Sequence, residues 1–556
     1  MSRRLQDALT RSAEHHPEKT AVVSKNRRMS YGEWEQAANR LARALRNAGC
    51  VKGDRVGLLL PKSFEILIGM FGALKADCIY VPLDTSSPAA RLSRILEAAD
   101  CRCILALHSA APLLAGLLYA PAKVGWMDDA RDDRGGELPE KERIAFRWPE
   151  VQSLSPEPTP SSSTEQDVAH LLFTSGTTGA PKGVMITHSN ALHFLDWAVP
   201  YFGIESSDRV SAHPPFHFDL STFDIHGAVR AGAELHLVPP ELNLLPSRLA
   251  DFIRDSRLTQ WFSVPSILTH MAKSDAVRQN DLPSLKRLLW CGEKFPTPGL
   301  IYWMKRLPDV GFYNLYGPTE ATIASSFYKV PACPSDETAE TPIGEPCAGE
   351  RLLVLDEKLQ PVRPEEPGDL YIGGVGLSPG YWRDPVRTAE VFVQDPATHG
   401  PEGRIYRTGD LARRTKNGDV CLLGRSDSQI KSRGYRIELG EIEAALHSLP
   451  GIQAAAVVAI DCSAFEGTTI CCAWVPAPGG EDSPAALRRS LSKLLPSYMI
   501  PAQWMPLDRM PLNGNGKTDR RCLKEKFLEF AASAEPPAPR PLGARSAVAT
   551  TQEAFQ

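Results

Sequence analysis

A chain of 556 residues is too long for one hydrophobic core and implies about three folding units. Its 62 basic and 66 acidic residues are scattered and leave a net charge of -4, which excludes the concentrated basic footprint of a nucleic-acid binder. Twelve cysteines without a single C-x-x-C pair lack the spacing of zinc and thioredoxin sites and read as reduced, mostly buried thiols of a cytosolic protein.

The first residues, Met1 to Asp7, hold no apolar run of the kind a signal peptide needs. Ala21-Val22-Val23 reads as a strand. Ser30 and Glu33 stand at capping-box spacing, and Ala37, Ala38, Leu41, Ala42 and Leu45 mark one face of the helix that follows. Val56 to Leu60 is a buried-strand candidate, followed by a helix through Phe64–Leu74 and the strand Cys78-Ile79-Tyr80-Val81. The whole apolar stretch from Val56 to Leu83 is interrupted by Pro61, Lys62, Glu65, Lys75 and Asp77 and cannot span a bilayer, so a soluble, cytoplasmic protein is expected. Strand–helix–strand alternation of this kind predicts parallel, doubly wound α/β architecture. Ser153 to Thr164 is Ser/Pro-rich and reads as an exposed linker. The alternation resumes to about Leu423. At Gly424-Arg425-Ser426-Asp427 the character changes to a run of about 100 residues with its own strands (Ala454–Ile460, Thr469–Val475) and helices (Leu439–His447, Ala485–Leu495). The expected division is a core at 1–423, a small domain at 424–530, and an Ala/Pro/Ser/Arg-rich tail at 531–556 with the composition of disorder.

The most informative segment is Leu171-Leu172-Phe173-Thr174-Ser175-Gly176-Thr177-Thr178-Gly179-Ala180-Pro181-Lys182-Gly183. An apolar strand ends in four hydroxyl residues, three glycines and a lysine. Glycines let a backbone approach a polyphosphate, N–H and hydroxyl groups supply donors, and Lys182 adds a cation. The spacing is not that of a Walker A loop, because Gly183 follows the lysine. The same cluster is also the composition of an ordinary turn, and composition alone leaves both readings open.

In order along the chain, this loop is preceded by Leu74-Lys75-Ala76-Asp77-Cys78-Ile79-Tyr80-Val81-Pro82-Leu83-Asp84 and followed by Asn314-Leu315-Tyr316-Gly317-Pro318-Thr319-Glu320. Then come Gly368-Asp369-Leu370-Tyr371-Ile372-Gly373-Gly374, Tyr406-Arg407-Thr408-Gly409-Asp410-Leu411, Gly424 to Lys431, Arg433-Gly434-Tyr435-Arg436-Ile437-Glu438, and Asn513-Gly514-Asn515-Gly516-Lys517. This series resembles the motifs of the adenylate-forming superfamily over roughly residues 5–528, in the wording of nonribosomal-peptide amino-acid adenylation domains. Asp77 stands where that family usually has glycine, and Ser432 where many relatives have a β-branched apolar residue. The resemblance implies a large N-terminal adenylate-forming domain of doubly wound α/β subdomains plus a β-barrel-like part. It also implies a small mobile α+β C-terminal domain.

The implied reaction joins a carboxylate to the α-phosphate of ATP and releases pyrophosphate. Two anions must meet, so charge neutralisation and positioning carry it. By resemblance, Thr174, Ser175, Gly176, Thr177, Thr178 and Gly179 hold the β- and γ-phosphates with Lys182, and Glu320 binds Mg²⁺. Thr319 bonds the α-phosphate, Tyr316 stacks on adenine beside Asn314 and Gly317, and Asp410 accepts the ribose hydroxyls beside Arg425. Lys517 is the implied catalytic cation, reaching the substrate carboxylate and the α-phosphate. Asp427 falls at the hinge about which the small domain turns, and Gly434 faces the tunnel for a pantetheine thiol.

His217-Phe218-Asp219 matches the start of the substrate-pocket motif, with Asp219 where amino-acid enzymes pair with the α-ammonium. The remaining pocket, carried over by resemblance, is Leu220, Phe223, Ser263, Leu289, Cys291, Gly292, Leu315, Ile323 and Ala324, with Lys517 for the carboxylate. These residues are apolar or small, which implies a small apolar amino acid, proline favoured over alanine or valine. With no carrier-protein attachment serine in the tail, the resemblance implies loading of a separate phosphopantetheine-bearing carrier protein, with neither nucleic acid nor membrane as partner. An acyl- or aryl-CoA synthetase is the alternative in the same superfamily. A non-catalytic nucleotide-binding relative is the alternative in another class, and it should have lost Lys517, Glu320 or Asp410.

Overall fold

The computed structural model describes residues 3–117, 122–129, 143–176, 180–398, 400, 403–461, 468–477, 483–513 and 517–533, without the side chains of 461 and 531–533. The proposed tail lies outside the described residues from 534 onward, and 531–533 complete the helix Arg520–Ser533.

The early strands and helices form where the sequence pattern places them. Ser30 and Glu33 close a reciprocal capping box at the start of the helix Tyr31–Asn47, with Ser30 Oγ accepting from the Glu33 N–H at 3.2 Å and the Ser30 N–H reaching Glu33 Oε2 at 2.7 Å. That helix turns Trp34, Ala38, Leu41 and Leu45 inward against the helix Phe64–Lys75. The latter is buried nearly all round, as a sequence apolar from Ile66 to Leu74 requires. Its one interior cation, Lys75, is neutralised by Glu35 at 2.7 Å.

These helices pack between two large sheets. One has seven strands in the spatial order Ile144–Phe146, Lys123–Trp126, Cys101–Ala106, Arg55–Leu59, Ile79–Pro82, Val168–Thr174 and Lys182–Thr187, all parallel except the last. The other has nine strands. Its parallel centre runs Gly311–Tyr316, Arg287–Trp290, Gln260–Ser263, Arg209–Ala212, Glu234–Leu237 and Thr20–Ser24. Helices cover both, so the doubly wound expectation holds. The antiparallel part is a five-stranded sheet of Glu350–Leu355, Pro367–Gly374, Phe392–Gln394, Arg404–Arg414 and Val420–Arg425. Beyond it stand a hairpin, Gln429–Ser432 with Tyr435–Glu438, and a three-stranded sheet of Ile452–Asp461, Thr468–Pro476 and Gln503–Pro506. This last part has a core of its own around Ile437, Ile442, Val457 and Trp474.

Two local readings are refined. The Ser/Pro stretch after Gln152 is largely exposed, as expected of a linker, and is also held down as a strap. Asn39, Arg40 and Arg43 of the helix Tyr31–Asn47 donate to the carbonyls of Pro156, Leu154 and Glu157, and Ser161 and Ser162 bond the Asp77 carboxylate. Asp77 has φ +62°, the left-handed conformation that explains glycine as the usual residue there, and here its side chain offsets the strain by holding the strap. The second change is the helix expected through Leu495, which ends at Leu491.

The C-terminal part is docked against the core. Arg91 and Glu441 form a buried ion pair, and Arg94 reaches the Leu494 carbonyl at 3.2 Å. No helix is long and apolar enough to cross a membrane among the described residues.

Candidate active site

The phosphate-loop candidates sit where a parallel strand delivers its carboxyl end. Val168–Thr174 ends opposite Lys182, the first residue of the antiparallel return strand, so Thr174 and Lys182 are register partners. Thr177, Thr178 and Gly179 lie outside the described residues. Thr174 Oγ1 is buried and makes no hydrogen bond to the described residues, and Ser175 Oγ donates to the Arg436 carbonyl at 2.7 Å.

Glu320 is the electrostatic centre. It is wholly buried in the turn Thr319–Ala321 after the strand Gly311–Tyr316. Tyr381 donates its hydroxyl to Oε1 at 2.7 Å, Lys182 Nζ stands 3.6 Å from the same oxygen, and Arg436 contacts Oε2 at 2.6 Å. Burial pushes the Glu320 carboxyl up, but Arg436, Lys182 and Tyr381 together hold it well below the usual carboxylate range. Burial lowers Lys182 to about 8, Arg436 adds to that, and Glu320 opposes it.

Asp410 forms a second acidic post. Tyr316 donates its hydroxyl to Oδ2 at 2.5 Å, and Arg425 pairs with Oδ1 at 2.7 Å. Burial again works against the charge, and Lys431 and Arg425 outweigh it, keeping Asp410 ionised. Lys431 lies over the Tyr316 ring, 5.1 Å from its centroid. Asn314 is buried and bonds the Pro342 carbonyl at 2.8 Å. Gly317 is required by space: a Cβ there would stand 2.6 Å from the Ala324 Cα.

Asp219 adjoins Glu320 through one residue, because Thr319 donates its hydroxyl to Asp219 Oδ2 at 2.8 Å. Burial pushes the Asp219 carboxyl up to about 6, although Thr319 and the Leu220 N–H pull it down. His217 and Phe218 flank it, and burial lowers His217 despite the attraction of Asp84. Leu220 and Phe223 follow on the helix Leu220–Ala231. Ser263, Leu289 and Leu315 lie at or near the carboxyl ends of three successive parallel strands, with Cys291 and Gly292 just beyond one of them. Leu220, Phe223, Leu289, Cys291, Leu315, Ile323 and Ala324 share one buried apolar cluster, which Ser263 joins as a buried hydroxyl. Phe223 is held edge-on between Phe194 and Phe262, and burial pushes the Cys291 thiol up to about 12, so it stays neutral. Thr322 and Ile323 adopt φ +56° and +72°, a strained conformation for β-branched residues that Thr322 anchors by donating to the Gly376 carbonyl at 2.7 Å.

A family model described as AMP-binding enzyme matches residues 9–382, and one described as AMP-binding enzyme C-terminal domain matches 441–517. The chain belongs to the AMP-binding enzyme family. It is 36% identical over 539 residues to the dimodular nonribosomal peptide synthase of Bacillus subtilis, covering 96% of this chain and 21% of that one. To tyrocidine synthase 1 of Brevibacillus parabrevis it is 33% identical over 516 residues, covering 93% of this chain. It spans 44% of that relative's length, so both relatives are much longer than the part they share with this chain. Among solved structures, holo-PA1221, an NRPS protein containing adenylation and PCP domains, is 26% identical with TM-score 0.75, covering 94% of this chain and 84% of that one. The Vibrio cholerae adenylation domain AlmE, in complex with glycyl-adenosine-5'-phosphate, shares the fold with TM-score 0.81 at 24% identity, covering 94% and 98%.

In this AMP-binding enzyme one expected site residue stands apart from the rest. Lys517 is exposed, its backbone N–H bonded to Asn513 Oδ1 at 3.1 Å, and among the described residues its ammonium meets neither Glu320 nor Asp219. The place beside Glu320 is taken instead by Arg436, because the hairpin Gln429–Glu438 is what docks here. At its tip Gly434, φ +80°, donates to Glu293 Oε1 at 2.8 Å, and a Cβ on it would meet Val264 Cγ1 at 2.7 Å. Tyr435 packs edge-on against Phe218 with ring centroids 5.0 Å apart. Asp427 bridges back to Arg425 through both carboxylate oxygens, at 2.7 and 2.6 Å. Sequence reasoning gave no role to Arg436, Tyr381 or Lys431. An arginine and a lysine inside a hairpin with apolar Ile430 and Ile437 were the only available signal for two of them, and Tyr381 carried none.

Proposed function

We propose that this ligase activates a small apolar α-amino acid, proline favoured, as its aminoacyl-AMP, and passes it to the phosphopantetheine thiol of a carrier protein supplied in trans. The observation that carries the reading is the Thr319 bridge. It sets a carboxylate suited to an ammonium, Asp219, one hydrogen bond away from the residue next to Glu320. A substrate amine held at Asp219 would place its carboxylate toward the phosphate loop, which is the geometry that adenylation needs. An acid without an amine would leave Asp219 with the Thr319 hydroxyl and the Leu220 N–H but no cation from the substrate, so the pocket disfavours fatty and aromatic acids.

ATP fits the donor set: Thr174 Oγ1 is a buried hydroxyl without a partner among the described residues, and Asp410 is an ionised acceptor beside Tyr316. Mg²⁺, arriving on ATP phosphates, needs only one or two protein carboxylates, and Glu320 is ionised and wholly buried. It fits there once Arg436 withdraws with its hairpin. Bound ATP supplies the activated α-phosphate. Lys182 neutralises the outer phosphates, and Thr319 and Asp219 orient the substrate. Lys517 enters when residues 424–530 turn about Asp427, acting as a mobile lid on the core 1–423. After adenylation the docked hairpin described above would line the path of the thiol, with Gly434 at its narrowest point.

The test is amino-acid-dependent exchange of labelled pyrophosphate into ATP, across the twenty amino acids and simple acyl and aryl acids. Lys517→Ala serves as the control. One strong response to proline or another small apolar amino acid, lost in the variant, supports the proposal. Exchange only with acids lacking an amine moves the chain to the acyl-CoA synthetases.

A further inference from the structure

The hairpin Gln429–Glu438 closes on a loop of two residues. Ser432 pairs with Tyr435, and Arg433 and Gly434 between them have φ +55° and +80°, the left-handed pair that tight hairpin turns use. In such a turn the N–H of the second loop residue takes no part in the ladder, so a tip packed against protein needs an acceptor from elsewhere. Glu293 supplies it, its Oε1 accepting from the Gly434 N–H at 2.8 Å.

The core itself holds Glu293 in place. It follows the pocket residues Cys291 and Gly292 beyond the strand Arg287–Trp290, where Gly292 turns the chain at φ +95°. Its Oε2 accepts from the Ser266 N–H at 3.0 Å, in the first turn of the helix Pro265–Lys273, whose N-cap residue Val264 has no side-chain acceptor to offer. One carboxylate thus joins the end of a pocket strand, the start of a core helix and the tip of the docked hairpin. The other anchors of the hairpin differ in kind. Arg436 meets Glu320, the Arg436 carbonyl receives Ser175, and Tyr435 packs on Phe218, all at groups assigned above to ATP or to the acid. Glu293 has no such assignment, so its bond to the hairpin can be removed while those groups are kept.

We propose that Glu293 is a positioning residue for the transfer half-reaction, seating the hairpin tip so that Gly434 borders the path of a pantetheine thiol, with no part in adenylation. The inference rests on the adenylation and transfer reading above. In the step it serves, the thiol sulfur forms a bond to the acyl carbon of the aminoacyl-AMP and the acyl C–O bond to phosphate breaks. AMP leaves with that electron pair, and the thiol proton passes to solvent. Glu293 acts on this step through the hairpin alone.

The experiment uses the full chain, free pantetheine as the thiol, and the amino acid that gives the strongest pyrophosphate exchange. Glu293→Ala should slow thioester formation by about tenfold or more, as expected for a lost hydrogen bond to a charged acceptor, while exchange changes less than about twofold. Glu293→Gln keeps one acceptor oxygen and should recover part of the loss. Amide hydrogen exchange on the ligand-free proteins reads the seat directly. Gly434 should exchange about tenfold faster in Glu293→Ala than in the unaltered chain, with the buried strand Arg287–Trp290 unchanged. Equal losses of pyrophosphate exchange and thioester formation overturn the proposal, because Glu293 would then serve only the helix Pro265–Lys273. Undiminished thioester formation in the alanine variant overturns it too. If the unaltered chain supports exchange with no acid, the adenylation reading fails. Loss of Gly434 protection in Glu293→Ala then still upholds the seat, and unchanged protection overturns it.

Discussion

Replacing Asp219 with asparagine should make the ligand-free protein more stable and nearly useless. Burial raises the folded-state carboxyl from its ordinary 3.8 to about 6. Below the lower value the aspartic acid is neutral in both states and nothing is lost. Between the two values the unfolded chain ionises first, so stability falls as pH rises, and the loss is complete above about 6. The shift corresponds to about 3 kcal/mol at about 1.36 kcal/mol per unit. Asp219 keeps partial solvent contact, and screening brings the expected gain of Asp219→Asn at pH 7.5 to about 1–3 kcal/mol. The asparagine oxygen still accepts from Thr319, so that hydrogen bond need not be lost. Urea unfolding of both proteins without ligands, at pH 7.5 and pH 4.5, should show the gain at the higher pH and its reduction to about a third at the lower. The same variant loses the partner of a substrate ammonium, a loss of about 2–5 kcal/mol, so kcat/KM for the amino acid in exchange should fall by about 30-fold or more. A variant less stable at pH 7.5, or a gain indifferent to pH, would refute the assignment of a strained, ligand-seeking carboxylate.

In the unaltered protein, the amino-acid KM should climb as pH drops through about 6 while the ATP KM changes less, measured by exchange across pH 5–8. Lys517→Ala should abolish exchange yet leave unfolding within about 0.5 kcal/mol, since the side chain is exposed. Gly434→Ala adds a Cβ 2.7 Å from Val264 Cγ1 at φ +80°. Thiol transfer to a carrier protein should therefore fall by about tenfold or more, a cost of ~1–3 kcal/mol, while pyrophosphate exchange is largely kept. Asp77→Gly exchanges the relief of left-handed strain against the lost Ser161 and Ser162 bonds and should be neutral within about 1 kcal/mol. Asp77→Ala keeps the strain, loses the bonds and should cost about 2 kcal/mol in urea unfolding.

The parts of the fold written in periodicity were legible. The capping box at Ser30, the buried helix Phe64–Lys75 and the parallel strands follow from apolar spacing that no tertiary partner needs to complete. The strap over Asp77 was not legible, because Ser/Pro composition reports exposure and not the hydrogen bonds that fix a segment. In the site, Glu320, Asp410, Lys182 and Asp219 were nameable from motif resemblance, and they do converge with oppositely charged or hydrogen-bonding partners. What could not be read was which cation stands at Glu320. Arg436 and Lys517 both belong to motifs, and only the docking of the hairpin puts Arg436 there.

Ser263, Leu289 and Leu315 come from three neighbouring strands and Phe223 from a helix, whereas Glu320, Asp410 and Lys182 are fixed by contacts of their own. On the proposed assignment, the residues that would choose the acid and those that would hold nucleotide are anchored by different contacts, so a substitution at Ser263 or Leu289 should alter the acid preference while the ion pairs of Glu320 and Asp410 are kept.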